Sequence, residues 1–155
     1  MHVTDDVLLL AQAAIGKIDP QPASAAASKV RGHYLCGCCR YFEFRIVASD
    51  VTQSRARLEA HMLHQGRLRD FFGFNRGKHA VVEAAILATR THVLPLEQIA
   101  AEYDRLEVLV HKTGGPAELQ AFRLLRGHLA KAIEEGANAV PIEPEGANWT
   151  AGRER

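Results

Sequence analysis

The stretch GRLRDFFGFNRGKHAVVEAAILATR, residues 66–90, joins two dissimilar halves of the chain. Its first part places basic residues and phenylalanines among glycines, and the run after residue 75 has the apolar pattern of a helix. Arg76 and Lys78 would therefore lie in the first turn of that helix. Cations are disfavoured there by a few tenths to about 1 kcal/mol each, because a helix N-terminus carries partial positive charge. An anion near residues 76–78 would remove this conflict.

Two segments before this stretch alternate in the manner of β-strands. In CRYFEFRIVAS, residues 39–49, Phe42, Phe44 and Ile46 fall on one face. Residues 55–65 alternate again after a turn and place Met62 and His64 together on an apolar side. We therefore expect an antiparallel hairpin, which is marginally stable alone and needs further structure against its apolar face.

Helices are expected on both sides of this hairpin. Thr4 is a suitable N-cap for a short helix over residues 7–15, and the proline-containing segment 17–29 has the composition of a surface loop. Beyond the hairpin, residues 80–94 predict a buried helix rich in alanine. Two further helices are expected to begin at Pro95 and Pro116 and to end at Gly114 and Gly136.

These elements predict a single α+β domain over residues 1–135. Antiparallel strands occupy residues 1–70, and a bundle of about three helices occupies residues 75–135. Residues 136–155 hold two prolines beside Gly, Asn and Glu, which predicts a disordered tail.

The composition limits the class of partner. The chain has 155 residues, with 19 basic and 18 acidic side chains and a net charge of +1, so a nucleic-acid-wrapping protein is disfavoured. Single-stranded nucleic acid on the basic and aromatic stretch is the least favoured function. The chain lacks a secretory signal pattern or an apolar run long enough to span a bilayer, and its three cysteines suit a reducing compartment. We therefore expect a cytoplasmic protein with no membrane partner.

The basic stretch is the best candidate site. Arg67, Arg69, Arg76 and Lys78 lie within a dozen positions that contain one acid, Asp70. Asn75 can cap the helix, and Gly73 and Gly77 allow the backbone to approach a ligand. We predict that Arg69, Asn75, Arg76 and Lys78 bind a small anionic ligand. A solvated or interface cluster remains the alternative.

Other chemistry-bearing residues give weaker signals. The group His33, Cys36, Cys38 and Cys39 lacks the second separated pair that structural zinc sites use, so we predict reduced structural cysteines and no metal site. No nucleophile is paired with any of the eight histidines, and we assign no catalytic residue. One helix face carries Arg76, His79, Glu83 and Arg90. This face is either a solvated stripe or a place where Glu83 orients a basic residue toward a ligand.

The motifs HVTDDVLLLAQAAIG, CRYFEFRIV, GRLRDFFGFNRGKHAVVEAAILATRTHVLP and KTGGPAELQAF occur in this order from His2 to about Phe122. They resemble the archaeal and bacterial family named domain of unknown function 447. The resemblance implies an FMN-binding split-barrel fold followed by helices, in a flavin-binding homodimer. It also implies an uncharacterised reaction that is related to oxidoreductases or linked to pterin-dependent one-carbon metabolism. Arg69, Asn75, Arg76 and Lys78 would then contact the FMN phosphate.

In proteins of this family several strands precede the HVTDD motif, whereas here Met1 stands directly before His2. The chain therefore resembles the carboxy-terminal portion of the family, with a partial split barrel and an incomplete FMN site. A hairpin without those strands would expose edges and an apolar face, which predicts a homodimer or a complementing chain. The alternative function is a non-catalytic interaction module whose small-residue helix, residues 80–94, mediates assembly.

Overall fold

Five strands and four helices make up the computed structural model, which describes residues 1–53 and 55–138. In chain order the elements are β1 (His2–Val3), α1 (Val7–Ala14), β2 (Ser24–Ala26), β3 (His33–Leu35), β4 (Arg40–Asp50), β5 (Arg57–Arg67), α2 (Arg76–Ala88), α3 (Leu96–Thr113) and α4 (Pro116–Asn138). All strand pairs are antiparallel, so the α+β class is confirmed. Helix α4 continues past Gly136, and the rest of the predicted tail lies outside the described residues.

The predicted hairpin is present as β4 and β5, which pair from Arg40 opposite Arg67 to Asp50 opposite Arg57. Two register shifts interrupt the pairing, between Glu43 and Phe44 and between Ile46 and Ala48. The first shift places His64 opposite Glu43, so the prediction that His64 shares a face with Met62 was wrong. A β-bulge changes which residues share a face, and the alternation of the sequence does not reveal it.

The described strands form two small sheets, and a partial barrel is not confirmed. One sheet has the order β1–β4–β5, and the other is the two-stranded ribbon of β2 and β3. The sequence predicted a loop where β2 lies, because the prolines and small residues of segment 17–29 have little strand propensity. The carboxylate of Glu43 holds the turn of this ribbon, since it accepts hydrogen bonds from the amides of Ser28 at 2.9 Å and Lys29 at 2.6 Å. Burial raises the pKa of Glu43, but these hydrogen bonds outweigh it and leave that pKa lowered.

Helix boundaries follow local capping. Asp6, and not Thr4, is the N-cap of α1, because its side chain accepts the amide of Leu9 at 3.0 Å. Helix α2 ends at Ala88 rather than near residue 94, and a turn follows in which the Arg90 amide donates to the Leu87 carbonyl, three positions back, at 2.9 Å. Helix α3 begins after Pro95 and is capped by Gly114, as predicted. Within the described residues, none of the helices has the length and apolar character needed to cross a membrane.

The core lies among four helices rather than the predicted three, because α1 packs against α2 and α4. Tyr103 is fully buried at its centre and donates its hydroxyl to the Ala84 carbonyl at 2.8 Å. Burial raises the pKa of Tyr103 to about 12. The buried core residues are Val7, Ala11, Ala80, Val81, Ala84, Ala85, Ala88, Ile99, Tyr103, Val110, Ala121, Phe122, Leu125 and Leu129.

Gly77 provides the close contact between α2 and the turn from α3 to α4. A Cβ atom built on Gly77 would lie 2.7 Å from the amide nitrogen of Gly114. The sequence predicted that Gly77 allows close approach of a ligand, but in the structure it is the backbone of Gly114 that approaches Gly77. The contact fixes the start of α2 against the rest of the helical part.

Candidate functional site at the strand to helix junction

The end of β5 and the start of α2 bring together the four cations of the sequence stretch, Arg67, Arg69, Arg76 and Lys78, which we call the basic junction. The four side chains nevertheless lie in different environments. Arg69 and Lys78 turn toward the amino-terminal segment, whereas Arg67 lies at the strand end and Arg76 is exposed.

Asp5 supplies an anion to two of these cations. Nη2 of Arg69 lies 2.5 Å from Oδ1 of Asp5, and Nζ of Lys78 lies 3.7 Å from Oδ2. Lys78 also donates to the Asp5 main-chain carbonyl at 2.9 Å, and its Nζ is 3.9 Å from Oε1 of Glu118. Asp5 is only 7% exposed. The hydrogen bond from Arg69 lowers the pKa of Asp5, with a further contribution from Lys78. The sequence predicted an anion near the start of α2, and the Asp5 carboxylate of the chain itself supplies part of this negative charge.

The first turn of α2 is capped as predicted. The side-chain carbonyl of Asn75 accepts the amide of Lys78 at 2.8 Å, so this oxygen serves the helix. The Arg76 side chain is exposed and forms no hydrogen bond or ion pair with the other residues that the structure describes. Its guanidinium is therefore available at the start of α2, where cations are disfavoured.

Three phenylalanines surround the junction without filling the core. Phe71 meets Phe74 edge to face with ring centroids 5.6 Å apart, and Phe74 meets His79 in the same way at 5.2 Å. Phe71, Phe72 and Phe74 are all exposed. Exposed aromatic rings beside basic side chains can pack on a planar ligand.

A cavity of about 380 Å³ opens beside this junction at the end of the hairpin. Three arginines, two phenylalanines, Val3 and Asp70 line it; the arginines are Arg40, Arg67 and Arg69, and the phenylalanines are Phe42 and Phe71. A second cavity of about 280 Å³ shares Arg40 and Arg67 with the first. The sequence interpretation did not select Arg40, since only the strand register shows that it lies beside Arg67.

A larger cavity of about 660 Å³ lies away from the junction, between the start of α3 and the end of α4. Among the described residues, its lining includes the carboxylates Glu97 and Asp104 and no basic residue. The cavity would therefore repel an anion, whereas the cavity beside the junction would attract one.

The cysteines and the polar face of α2 are the remaining candidates from the sequence. Cys36 is exposed and Cys38 and Cys39 are buried, and the Cys39 thiol donates to Asp5 Oδ1 at 3.7 Å. Within the described residues, no group of three or more His, Cys, Asp or Glu side chains is arranged to hold a metal ion. The face that carries His79, Glu83 and Arg90 is exposed.

Comparisons with known proteins agree with the sequence resemblance. Residues 75–127 match the C-terminal model of the family described as Protein of unknown function (DUF447). The crystal structure of an FMN-bound protein from Methanosarcina mazei, given to the same family, superposes with a TM-score of 0.69 at 22% identity. The superposition covers 82% of this chain and 69% of that chain. No curated protein matches the chain. The resemblance to this family is thus confirmed, by sequence over residues 75–127 and by fold over most of the chain.

Proposed function

We propose that this chain is a flavin-associated protein that binds FMN at the basic junction. The observation that supports this proposal is the cavity of about 380 Å³ in which Arg69 meets two further arginines and two phenylalanines. Its volume falls in the range of roughly 300–1,000 Å³ that is usual for small-molecule sites. A structural relative was crystallised with FMN bound.

The donor set fits the chemical groups of FMN. Guanidinium groups form paired hydrogen bonds with phosphate oxygens, and exposed phenylalanine rings offer flat apolar surfaces to an aromatic ring system. Arg69 lines the cavity, and Arg76 has an exposed guanidinium at the start of the following helix, so we assign these two to the ligand. Asn75 would hold the start of α2 in position, and Lys78 would hold Asp5 in position.

The reaction class in this proposal is redox, because bound FMN supplies electron-transfer or hydride-transfer chemistry. The side chains of this chain contribute binding, orientation and positive charge. We assign no described residue a role in proton transfer.

Titration of the purified protein with FMN tests the proposal. We expect saturable quenching of flavin fluorescence, weakened roughly 10- to 100-fold in Arg76→Ala, because a hydrogen bond to a charged group contributes about 1.5–3 kcal/mol. Arg90→Ala is the matched control, since Arg90 is also exposed and follows the other end of α2. Absence of FMN binding at millimolar concentration, or equal affinity of both variants, would contradict the proposal.

We also propose that the chain forms a homodimer through the apolar face of the hairpin. Phe44 lies opposite Met62 and Ile46 opposite Ala60, and the nearby Leu58 belongs to the same face by the register. Phe44, Ile46, Leu58 and Met62 remain 40–60% exposed. In the described part of the chain, β5 pairs on one side only and β1 covers only the base of β4.

A second copy of this chain is the proposed occupant of this face. Phe42 lies on the same face of β4 and also lines the cavity, so a second copy would close the cavity's open side. Eight half-exposed apolar side chains in a dimer would gain roughly 6–12 kcal/mol on burial. This gain is comparable with the roughly 4–15 kcal/mol lost on association, so a reversible dimer is expected.

Sedimentation velocity tests the interface. The wild-type chain is expected to sediment as a dimer and Met62→Lys as a monomer, because a buried unpaired ammonium is costly. Ala48→Lys adds the same charge on the opposite face, across from Glu59, and should remain dimeric. If the wild-type chain is a monomer and forms a complex only with another protein, the homodimer proposal is wrong and a complementing chain is the occupant of this face.

The alternative of an assembly module built on α2 lacks support from the packing. Ala80, Ala84 and Ala88 of that helix are buried within the chain itself. The helix packs against α1, α3 and α4, so its small-residue face is already covered.

A further inference from the structure

Arg40 and Arg67 stand directly opposite each other across the β4–β5 ladder. Side chains at such positions have Cβ atoms roughly 4.5–5.5 Å apart, and like charges there destabilise the sheet. On the other side of Arg40, the register places the apolar residue Val3 of β1. The strand pairing therefore brings two positive charges together without an acid between them.

The nearby acids neutralise this pair only in part. Arg67 forms an ion pair with Asp70, but their side chains are 59% and 60% exposed, so water screens the attraction. Asp5 is engaged by Arg69 and Lys78. Among the residues that the structure describes, Arg40 has no acidic partner. An excess of positive charge thus remains at the hairpin base.

Open space adjoins both guanidinium groups. The cavities of about 380 and 280 Å³ both include Arg40 and Arg67 in their linings. Phe42 and Phe71 line the larger one, so a flat ring can lie beside the two cations. A phosphate monoester offers several oxygen acceptors and a double negative charge, whereas a carboxylate offers two oxygens and a single charge. Two adjacent guanidinium groups therefore match a phosphate monoester better than a carboxylate.

We propose that Arg40 and Arg67 jointly bind the phosphate group of the ligand and thereby select a phosphorylated flavin over an unphosphorylated one. This inference rests on the proposed flavin binding for the identity of the ring. It adds Arg40 and Arg67, at the hairpin base beside Arg69, to the residues selected from the sequence as ligands of the phosphate.

Titrations with FMN and with riboflavin, which lacks the phosphate, test the inference. The wild-type chain is expected to bind FMN at least roughly tenfold more tightly than riboflavin. Arg40→Gln should weaken FMN binding roughly 10- to 100-fold and leave riboflavin binding unchanged, so that the preference disappears. Arg45→Gln, an exposed arginine on the opposite face of β4, is the matched control and should behave as wild type. Equal effects of Arg40→Gln and Arg45→Gln, or no preference in the wild type, would overturn the inference.

Two further measurements separate this inference from the proposed function. Without ligand, Arg40→Gln should be at least as stable as wild type, because the substitution removes a repulsion. A loss of FMN affinity in Arg40→Gln could then not be attributed to unfolding. If neither flavin binds the wild-type chain, the flavin proposal fails, and inorganic phosphate becomes the probe. Thermal stabilisation by phosphate in the wild type but not in Arg40→Gln would still support an anion site, and no stabilisation in either would overturn it.

Discussion

Replacing Gly77 by alanine is expected to lower the free energy of unfolding by roughly 2–3 kcal/mol. The added Cβ atom would lie 2.7 Å from the nitrogen and 2.8 Å from the Cα atom of Gly114. Both atoms belong to the backbone at the end of α3, so the chain can relieve the contact only by moving α2 away from the turn before α4. Urea denaturation followed by circular dichroism measures the loss.

The same substitution at Gly127 provides the control. Gly127 lies within α4, and a Cβ atom there would meet, among the described residues, no atom within 4 Å apart from those of its own stretch of helix. Alanine should therefore raise stability at this site by up to about 1 kcal/mol through its higher helix propensity. A Gly77→Ala protein as stable as wild type would show that α2 and Gly114 are not in the close contact described.

Replacing Asp5 by asparagine is expected to lower the free energy of unfolding by about 1–3 kcal/mol at neutral pH. The substitution leaves Arg69 and Lys78 without their shared negative charge. Removal of one partner from a fully buried ion pair costs roughly 3–5 kcal/mol. The Arg69 side chain is 40% exposed, so solvent recovers part of this loss and the lower range applies.

The effect of Asp5→Asn should also depend on pH. The hydrogen bond from Arg69 lowers the pKa of Asp5 from its ordinary value of 3.8, so the folded chain binds this proton less readily than the unfolded chain. The stabilisation is therefore complete above that value and is lost as pH falls through the lower folded pKa. Asp6→Asn is the control, because it removes the same charge and asparagine caps a helix as well as aspartate. A stability difference between wild type and Asp5→Asn that stays constant from about pH 2.5 to 6 would contradict this account.

The elements that could be predicted from the sequence are those with long periodic signals. The β4–β5 hairpin and helices α3 and α4 carry their own alternation or capping residues, and they form where expected. Strand β1 has two residues and β2 three, which is too short for any periodicity, and both exist through pairing with later strands. The bulge beside Glu43 likewise changed the face of His64 without a local signal.

The positive charge of the candidate site could be predicted from the sequence, but the residues that lie beside its cations could not. Crowded cations between residues 67 and 78 pointed to an anion, and Asn75 caps α2 as its residue type suggested. The carboxylate that meets Arg69 belongs to Asp5, 64 positions earlier, and composition alone does not connect the two. Arg40 entered the site through strand register, which is a tertiary property.

The packing of α1 against α4 has a consequence for synthesis of the protein on the ribosome. Helix α1 leaves the exit tunnel first, but α4 begins at Pro116, more than a hundred residues later. At roughly 5–20 residues per second, α1 waits on the order of 10 s for that partner. The face of α1 that packs against α4 remains accessible to chaperones during this interval, and a product that stops before α4 would keep this face exposed to proteases.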